Sequence, residues 1–190
     1  MQGVGYVSTM RLVDLATGVC TPAQVPDLLR PRSRFAAERL PDGRVVCAGG
    51  NGGSWMSGEV YGPPRPGAPD ASWAWRQLPA MNVGRDGCRG CVMSDGRFAV
   101  LGGQSPVGAT SACEALVTSG DNEHWEPLPS MHDARSNFAC EAVAGCIIAA
   151  GGQGRKSAEV YDEVLDRWFR LPRDLPHDGA WLSWMGSALL

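Results

Sequence analysis

The sequence predicts an all-β fold built from tandem copies of one four-stranded unit. The 190 residues include 25 glycines and 14 prolines, a content that favours short strands joined by turns over long helices. A short apolar run that follows a turn and precedes a pair of glycines occurs three times, and so does a tryptophan placed four residues before a proline. The two patterns run in phase. A sequence repeat of this kind is better evidence for the architecture than local secondary-structure propensities are.

The glycine pairs are the first landmark. The stretches 41–50 and 94–103 each read as an Asp-Gly turn, a short apolar strand and two glycines, and the stretch 144–152 repeats this with Ala-Gly as the turn. Asp-Gly is a strong hairpin signal because both residues tolerate positive φ. The first glycines of the pairs are Gly49, Gly102 and Gly151, about fifty residues apart.

Two further landmarks keep the same phase. After the first two Trp-x-x-Leu-Pro segments comes an arginine that opens the next unit, and an earlier Val-Pro segment precedes an arginine in the same way. A strand of the form Glu-Val-Tyr precedes the tryptophan in two copies, at 59–61 and 159–161, and Glu114-Ala115-Leu116 is a looser copy. The tryptophans are Trp75, Trp125 and Trp168, and the opening arginines are Arg32, Arg85 and Arg135. Landmarks that match at several offsets are more specific than a single motif.

The double glycine, the tyrosine and the tryptophan in units near fifty residues resemble the kelch repeat. The resemblance covers roughly residues 5 to 180 and implies a kelch-type β-propeller, in which four-stranded blades stand around a central channel. Stacked blades bury the tryptophans, tyrosines and apolar strand residues between them. BTB and F-box domains often accompany kelch repeats, and we expect neither in these 190 residues.

The phase of the arginines predicts about three full blades with partial blades at both ends. We expect the last two strands of an earlier blade in 1–31, full blades in 32–84, 85–134 and 135–180, and the first strand of a further blade in 181–190. An open array would expose edge strands and apolar blade faces, which predicts self-association. A small closed ring, completed by the N-terminal strands, is the alternative.

In kelch proteins with a mapped peptide site, residues just after the opening arginine and just after the glycine pair line one mouth of the channel. The resemblance carries this role to Ser33, Arg34, Asp86, Ser136, Asn137, Asn51, Gln104, Gln153 and Arg155. These polar side chains stand where we expect the fold not to need polarity. Trp55 lies in a loop on the same side, where an exposed ring would anchor a partner and a packed ring would cover the neighbouring blade.

Two other motifs suggest chemistry but have simpler interpretations. Cys88-x-x-Cys91 has the spacing of a redox or zinc pair, yet zinc needs two further ligands and a three-residue offset puts the two thiols on opposite faces of a strand. Residues 62–72 are rich in proline, which is consistent with either a polyproline ligand or a surface insertion. We expect structural cysteines and a surface insertion.

The function predicted from these observations is a non-catalytic scaffold that binds a protein or acidic peptide at the mouth, without cofactor or metal. By resemblance, partners include ubiquitin-ligase substrates or cytoskeletal proteins. The net charge of −3 gives no reason to expect nucleic acid or an anionic membrane surface as a partner. Cysteines placed within apolar runs and the lack of a signal-peptide pattern predict a reducing, cytoplasmic location. The alternative is part of a kelch-type enzyme, a metal-dependent oxidase or a sugar isomerase.

Overall fold

A computed structural model describes residues 6–22, 26–63, 72–118 and 122–176 of the chain. All regular secondary structure in these ranges is β-strand, so the predicted all-β class is confirmed. No helix in the described ranges is long and apolar enough to span a membrane. The predicted strand in 181–190 and most of the proline-rich insertion lie outside the described residues.

The strands form successive antiparallel sheets. β1 (Arg11–Val13) pairs with β2 (Cys20–Pro22). The first four-stranded sheet consists, in spatial order, of β3 (Ala36–Arg39), β4 (Val45–Ala48), β5 (Gly58–Gly62) and β6 (Ala74–Gln77). Each strand pairs with the next one along the chain and runs antiparallel to it. The division of the chain into units at 32–84, 85–134 and 135–180 stays a prediction.

The second and third sheets repeat this arrangement. The second contains β7 (Arg89–Val92) and β8 (Phe98–Leu101); a small hairpin of β9 (Gln104–Ser105) and β10 (Gly108–Ala109) follows, and then β11 (Cys113–Val117) and β12 (His124–Leu128) complete the sheet. The third contains β13 (Ala139–Val143), β14 (Cys146–Ala150), β15 (Ala158–Asp162) and β16 (Arg167–Arg170), in that order. In both sheets the outermost strand carries the tryptophan.

The glycine pairs are required by close approach between repeats. A Cβ added to Gly49 would lie 2.6 Å from the carbonyl oxygen of Arg85, and one added to Gly102 would lie 2.6 Å from that of Arg135. Both glycines also have positive φ, 71° and 54°. The strand end of one repeat therefore touches the opening arginine of the next, which leaves room for glycine alone.

Among the described residues, apolar cores fill the spaces between neighbouring four-stranded sheets. The core between the first and second sheets includes Val46, Val60, Phe98 and Trp125, and the core between the second and third includes Leu101, Phe138, Ile147, Tyr161 and Trp168. Each of the three tryptophans also donates its indole N–H to a proline carbonyl of the preceding repeat: Trp75 to Pro26 at 2.8 Å, Trp125 to Pro79 at 3.0 Å and Trp168 to Pro129 at 2.9 Å. Tryptophan is thus fixed both by packing and by its polar edge.

Each opening arginine is buried against the glutamate of the same repeat. The ion pairs are Arg32–Glu59 at 2.6 Å, Arg85–Glu114 at 2.6 Å and Arg135–Glu159 at 2.9 Å. Each glutamate also accepts two backbone N–H groups from the turn that precedes its arginine. The pair therefore ties the third strand of a sheet to the chain that enters that sheet, with its charges compensated by several hydrogen bonds.

Candidate partner-binding site

The two groups of residues predicted to bind a partner meet in the structure, repeat by repeat. The N–H of Asn51 donates to the carbonyl of Ser33 at 2.9 Å, that of Gln104 to Asp86 at 2.6 Å, and that of Gln153 to Ser136 at 2.9 Å. We call the loops at 33–34, 51–55, 86–87, 104–109, 136–137 and 153–155 the loop mouth. Sequence spacing alone pairs these loops correctly, because every repeat uses the same strand ends.

Backbone hydrogen bonds also join the loop mouth from one repeat to the next. Gly87 donates its N–H to the carbonyl of Arg34 at 2.7 Å, and Asn137 donates to the carbonyl of Gly87 at 2.8 Å. All three residues adopt the left-handed conformation, with φ of 58°, 57° and 54° for Arg34, Gly87 and Asn137. Non-glycine residues rarely hold such a φ unless their surroundings fix it. The loops are therefore preorganised.

Burial divides the predicted binding residues into two groups. Asp86, Ser136 and Asn137 are 3%, 2% and 3% exposed, so the protein itself covers them. Ser33, Arg34, Asn51, Trp55 and Gln104 are half-buried, and Gln153 and Arg155 are exposed. The protein therefore covers part of the predicted binding set, and a binding role for this buried group stays a prediction. Their polar atoms lie between neighbouring loops, an arrangement that no single repeat reveals.

Arg34 and Asp86 form a charged pair in the loop mouth. Arg34 Nη2 lies 3.2 Å from Asp86 Oδ1, and about a third of the Arg34 side chain, 32%, remains exposed. Burial raises the pKa of Asp86, and the nearby Arg34 guanidinium opposes that rise. Arg34 thus keeps an accessible edge that can hydrogen-bond a carboxylate or a peptide carbonyl of a partner.

The side chain of Arg155 points away from the other residues predicted to bind a partner. Its Nε donates to the carbonyl of Ala134 at 3.3 Å, and its Nη1 lies 3.9 Å from Asp133 Oδ1. Asp133 belongs to the turn that enters the third sheet, so this arginine contacts that turn. The spacing after the glycine pair predicts where the Arg155 backbone lies but not where its long side chain reaches.

Sequence reasoning missed an apolar part of the loop mouth. Val107 is 98% exposed at the tip of the β9–β10 hairpin, and Met56, beside Trp55, is also exposed. Ser105 fixes the hairpin by donating its hydroxyl to the carbonyl of Gly108 at 2.8 Å. The signal was the Ser-Pro-Val-Gly stretch between two strands, which is typical of a tight turn. An exposed valine on such a turn suits contact with a partner.

The Cys88 and Cys91 side chains lie in different cores. Cys88 packs between the first and second sheets, and Cys91 packs between the second and third. Burial raises the pKa of the Cys88 thiol to about 11. Among the described residues, no three His, Cys, Asp or Glu side chains are arranged to hold a metal ion. The spacing of this pair therefore follows from the alternation of a strand that is covered on both faces.

Comparisons with known proteins agree with the repeated sheets. A family model described as the Kelch motif matches residues 134–173. An F-box/kelch-repeat protein of Arabidopsis thaliana is 33% identical over 116 residues, which cover 52% of this chain and 30% of that protein. Kelch-like protein 34 of Homo sapiens is 36% identical over 125 residues, which cover 56% of this chain and 19% of that protein. The match thus spans less than a third of the length of either relative.

A solved structure also resembles the fold. The structure titled "Structure of YjhT" matches with a TM-score of 0.63 at 14% identity, covering 81% of this chain and 55% of that one. At this identity the likeness concerns the arrangement of the sheets alone. It supports their assignment as propeller blades.

Proposed function

Because this chain is a kelch-repeat protein, we propose that it is a non-catalytic scaffold that binds a protein or peptide partner at the loop mouth. The observation that carries this proposal is the hydrogen bonding of the loops, within each repeat and between neighbouring repeats. Loops that are ordered before binding lose little conformational entropy when a partner arrives. A rigid surface of this kind suits recognition of another protein.

The accessible side chains suit an acidic or extended peptide. Arg34 offers a guanidinium edge, and Asn51, Gln104 and Gln153 offer amides that can bond a partner's backbone. Trp55 and Val107 add apolar contact area beside these polar groups. Protein interfaces usually combine polar groups, which provide specificity for the partner, with a few apolar anchor residues.

The proposed cellular setting is the cytoplasm, with recognition of ubiquitin-ligase substrates as the first role to test and cytoskeletal binding as the second. All seven cysteines are free thiols, which supports a reducing compartment. The name of one relative combines an F-box with kelch repeats, which makes the ligase role a reasonable starting point.

Variants at the loop mouth test the proposal. Arg34→Gly, Gln104→Ala and Gln153→Ala would be combined, because glycine suits the left-handed backbone at position 34 and already stands at the equivalent Gly87. Proteins captured from cell extract by the purified chain would be identified by mass spectrometry and then titrated individually. We expect the combined variant to lose their binding by at least about tenfold.

A matched control carries Arg39→Ala and Gln77→Ala, two exposed positions of the first sheet outside the loop mouth. The control should keep every partner. Equal binding by the combined variant and the wild type would overturn the proposal. Stoichiometric copper or iron in the purified protein would instead favour the enzyme alternative.

A further inference from the structure

The third sheet carries a groove that is separate from the loop mouth. Its volume is about 590 Å³, and all four residues of β16 (Arg167–Arg170) line it together with Pro129, Ser130 and His132. β16 is the outermost strand of its sheet, whereas the loop mouth flanks the first strands. The opposite wall is the turn that connects the second sheet to the third. We call this feature the outer groove.

The charge accessible in the outer groove is positive. Arg167 and Arg170 are exposed, and Arg170 Nη2 lies 3.0 Å from Asp133 Oδ1. Asp133 is largely buried and also pairs with Arg135 and Arg155. The hydroxyl of Ser157, which donates to Asp133, and then the surrounding guanidinium groups lower the pKa of that carboxyl. The Asp133 carboxylate therefore faces three arginines, and two of them, Arg155 and Arg170, remain accessible to solvent.

An aromatic surface and a histidine complete the groove. The guanidinium carbon of Arg167 lies 4.3 Å from the centre of the Phe169 ring, so the cation is stacked and held in place. His132 Nδ1 lies 2.8 Å from Glu159 Oε2, and nearly half of the histidine side chain is exposed. The contact with the buried glutamate orients the imidazole and leaves Nε2 for contacts in the groove.

The repeats themselves provide an internal comparison. Around Trp125 the equivalent positions hold His124, Glu126 and Pro127, and around Trp75 they hold Ala74, Arg76 and Gln77. The two other sheets thus form with the same tryptophan and without the Arg-Trp-Phe-Arg sequence of β16. Since the repeat does not require this sequence, its basic and aromatic character calls for another explanation.

We propose that the outer groove is a second protein-binding site, which holds an acidic peptide segment lying along β16. Carboxylates of the segment pair with Arg167 and Arg170, whose planar guanidinium groups match carboxylate geometry. Phe169 and the edge of Trp168 contact the apolar parts of the segment. This site goes beyond the function proposed for the loop mouth and does not depend on it.

Fluorescence anisotropy with a defined probe tests the site. The probe is a short fluorescein-labelled peptide of repeated Glu-Asp-Leu units, and its neutral counterpart has Gln-Asn-Leu units. We expect the full chain to bind the acidic probe at least about tenfold more tightly than the neutral one, and binding should weaken as salt is added. Arg167→Glu combined with Arg170→Glu should weaken binding of the acidic probe at least about tenfold.

A charge-matched control separates site binding from general attraction. Arg11→Glu combined with Arg39→Glu makes the same change in net charge at exposed positions away from the groove and should bind as the wild type does. The two sites are distinguished by comparing their variants: if the combined loop-mouth variant loses the acidic probe while the Arg167→Glu and Arg170→Glu variant keeps it, the probe occupies the loop mouth and the proposal is overturned. An equal loss in both double variants, no binding of the acidic probe, or binding only when the probe carries phosphoserine would overturn the proposal.

Discussion

At the scale of single residues, each buried glutamate joins three parts of its repeat. Glu159 accepts the N–H groups of His132 and Asp133 and pairs with Arg135, which is itself fully buried. Burial alone would raise the pKa of Glu159, but the His132 and Asp133 amides and the Arg135 guanidinium lower it below its usual range. A carboxyl whose pKa is lowered on folding stabilises the fold at pH values above its unfolded pKa.

Glu159→Gln should destabilise the protein by about 3 kcal/mol at neutral pH, because it removes the nearer carboxylate partner of the buried Arg135 charge and leaves only Asp133, at 3.4 Å. In the wild type the contribution of Glu159 is lost as pH falls through its lowered pKa, so the free energy of unfolding should decrease as the pH falls below 4.5, the ordinary pKa of a glutamate. Urea unfolding across this range should show a shallower decrease for Glu159→Gln. The exposed Glu126→Gln should keep the slope of the wild type, and an unchanged slope in Glu159→Gln would contradict this account.

Ala144 is a residue whose backbone the turn forces into an unfavourable region. Its φ is 50°, followed by 75° at Gly145, and its side chain is exposed. Asparagine tolerates this region better than alanine, so Ala144→Asn should stabilise the protein by about 0.5–1 kcal/mol. Ala37→Asn, on the exposed side of β3, should bring no gain. Thermal unfolding of the two variants checks the difference.

At the scale of elements, the contacts between successive sheets decide stability. The tryptophan of each outer strand donates to a proline carbonyl of the preceding repeat, and the glycine pair lets the opening arginine of the next repeat approach. Both contacts join consecutive repeats. Neighbour contacts of this kind carry much of the stability of repeat proteins.

Trp125→Phe should cost about 1–3 kcal/mol, because phenylalanine fills most of the space but leaves the Pro79 carbonyl without the indole donor at 3.0 Å. Trp73 is 41% exposed, so Trp73→Phe is a suitable control and should change stability by less than about 1 kcal/mol. Chemical denaturation measures both variants. Equal effects would show that the hydrogen bond between the repeats contributes little.

Gly102→Ala should destabilise by about 3 kcal/mol or more, since the new Cβ would lie 2.6 Å from the Arg135 carbonyl oxygen on a backbone with positive φ. Gly154 also has a positive φ, 71°, but a Cβ there would meet nothing within 4 Å. Gly154→Ala therefore isolates the backbone strain and should cost only about 1 kcal/mol. Similar losses for the two variants would remove close approach as the reason for the glycine pair.

These elements show what the sequence could and could not predict. The repeated glycines and tryptophans predict the class of fold and the pairing of loops, because one contact recurs in every repeat. The burial of Asp86, Ser136 and Asn137 depends on loops of adjacent repeats, which a single-repeat pattern does not contain. The outer groove joins residues 129–132 to residues 167–170, and only the packing of one sheet against the next brings these segments together.

At the scale of the whole molecule, the stacked sheets bury most of the thiols and hold one set of loops in a fixed arrangement. Cys20 is exposed, Cys146 is half-buried, and Cys47, Cys88, Cys91, Cys113 and Cys140 are buried. Burial raises the pKa of both Cys47 and Cys113 to about 12, so these thiols stay protonated and unreactive at neutral pH.

Thiol titration with a chromogenic disulfide reagent should therefore show rapid reaction of Cys20 and slower reaction of Cys146 in the folded protein. All seven cysteines should react after unfolding. Rapid reaction of all of them without denaturant would mean that the sheets do not pack as described. Self-association through the sheet faces stays a prediction that sedimentation of the same samples can address.

The most direct measurement of the central claim is hydrogen–deuterium exchange of the chain with and without a captured partner. Binding at the loop mouth predicts slower exchange in segments 33–34, 51–55, 104–109 and 153–155, on top of the protection that their backbone hydrogen bonds already give. The turns at Gly43, Gly96 and Gly145, at the other ends of the strands, should exchange at unchanged rates. Protection confined to those turns, or no change in the loop mouth at saturating partner, would contradict the account.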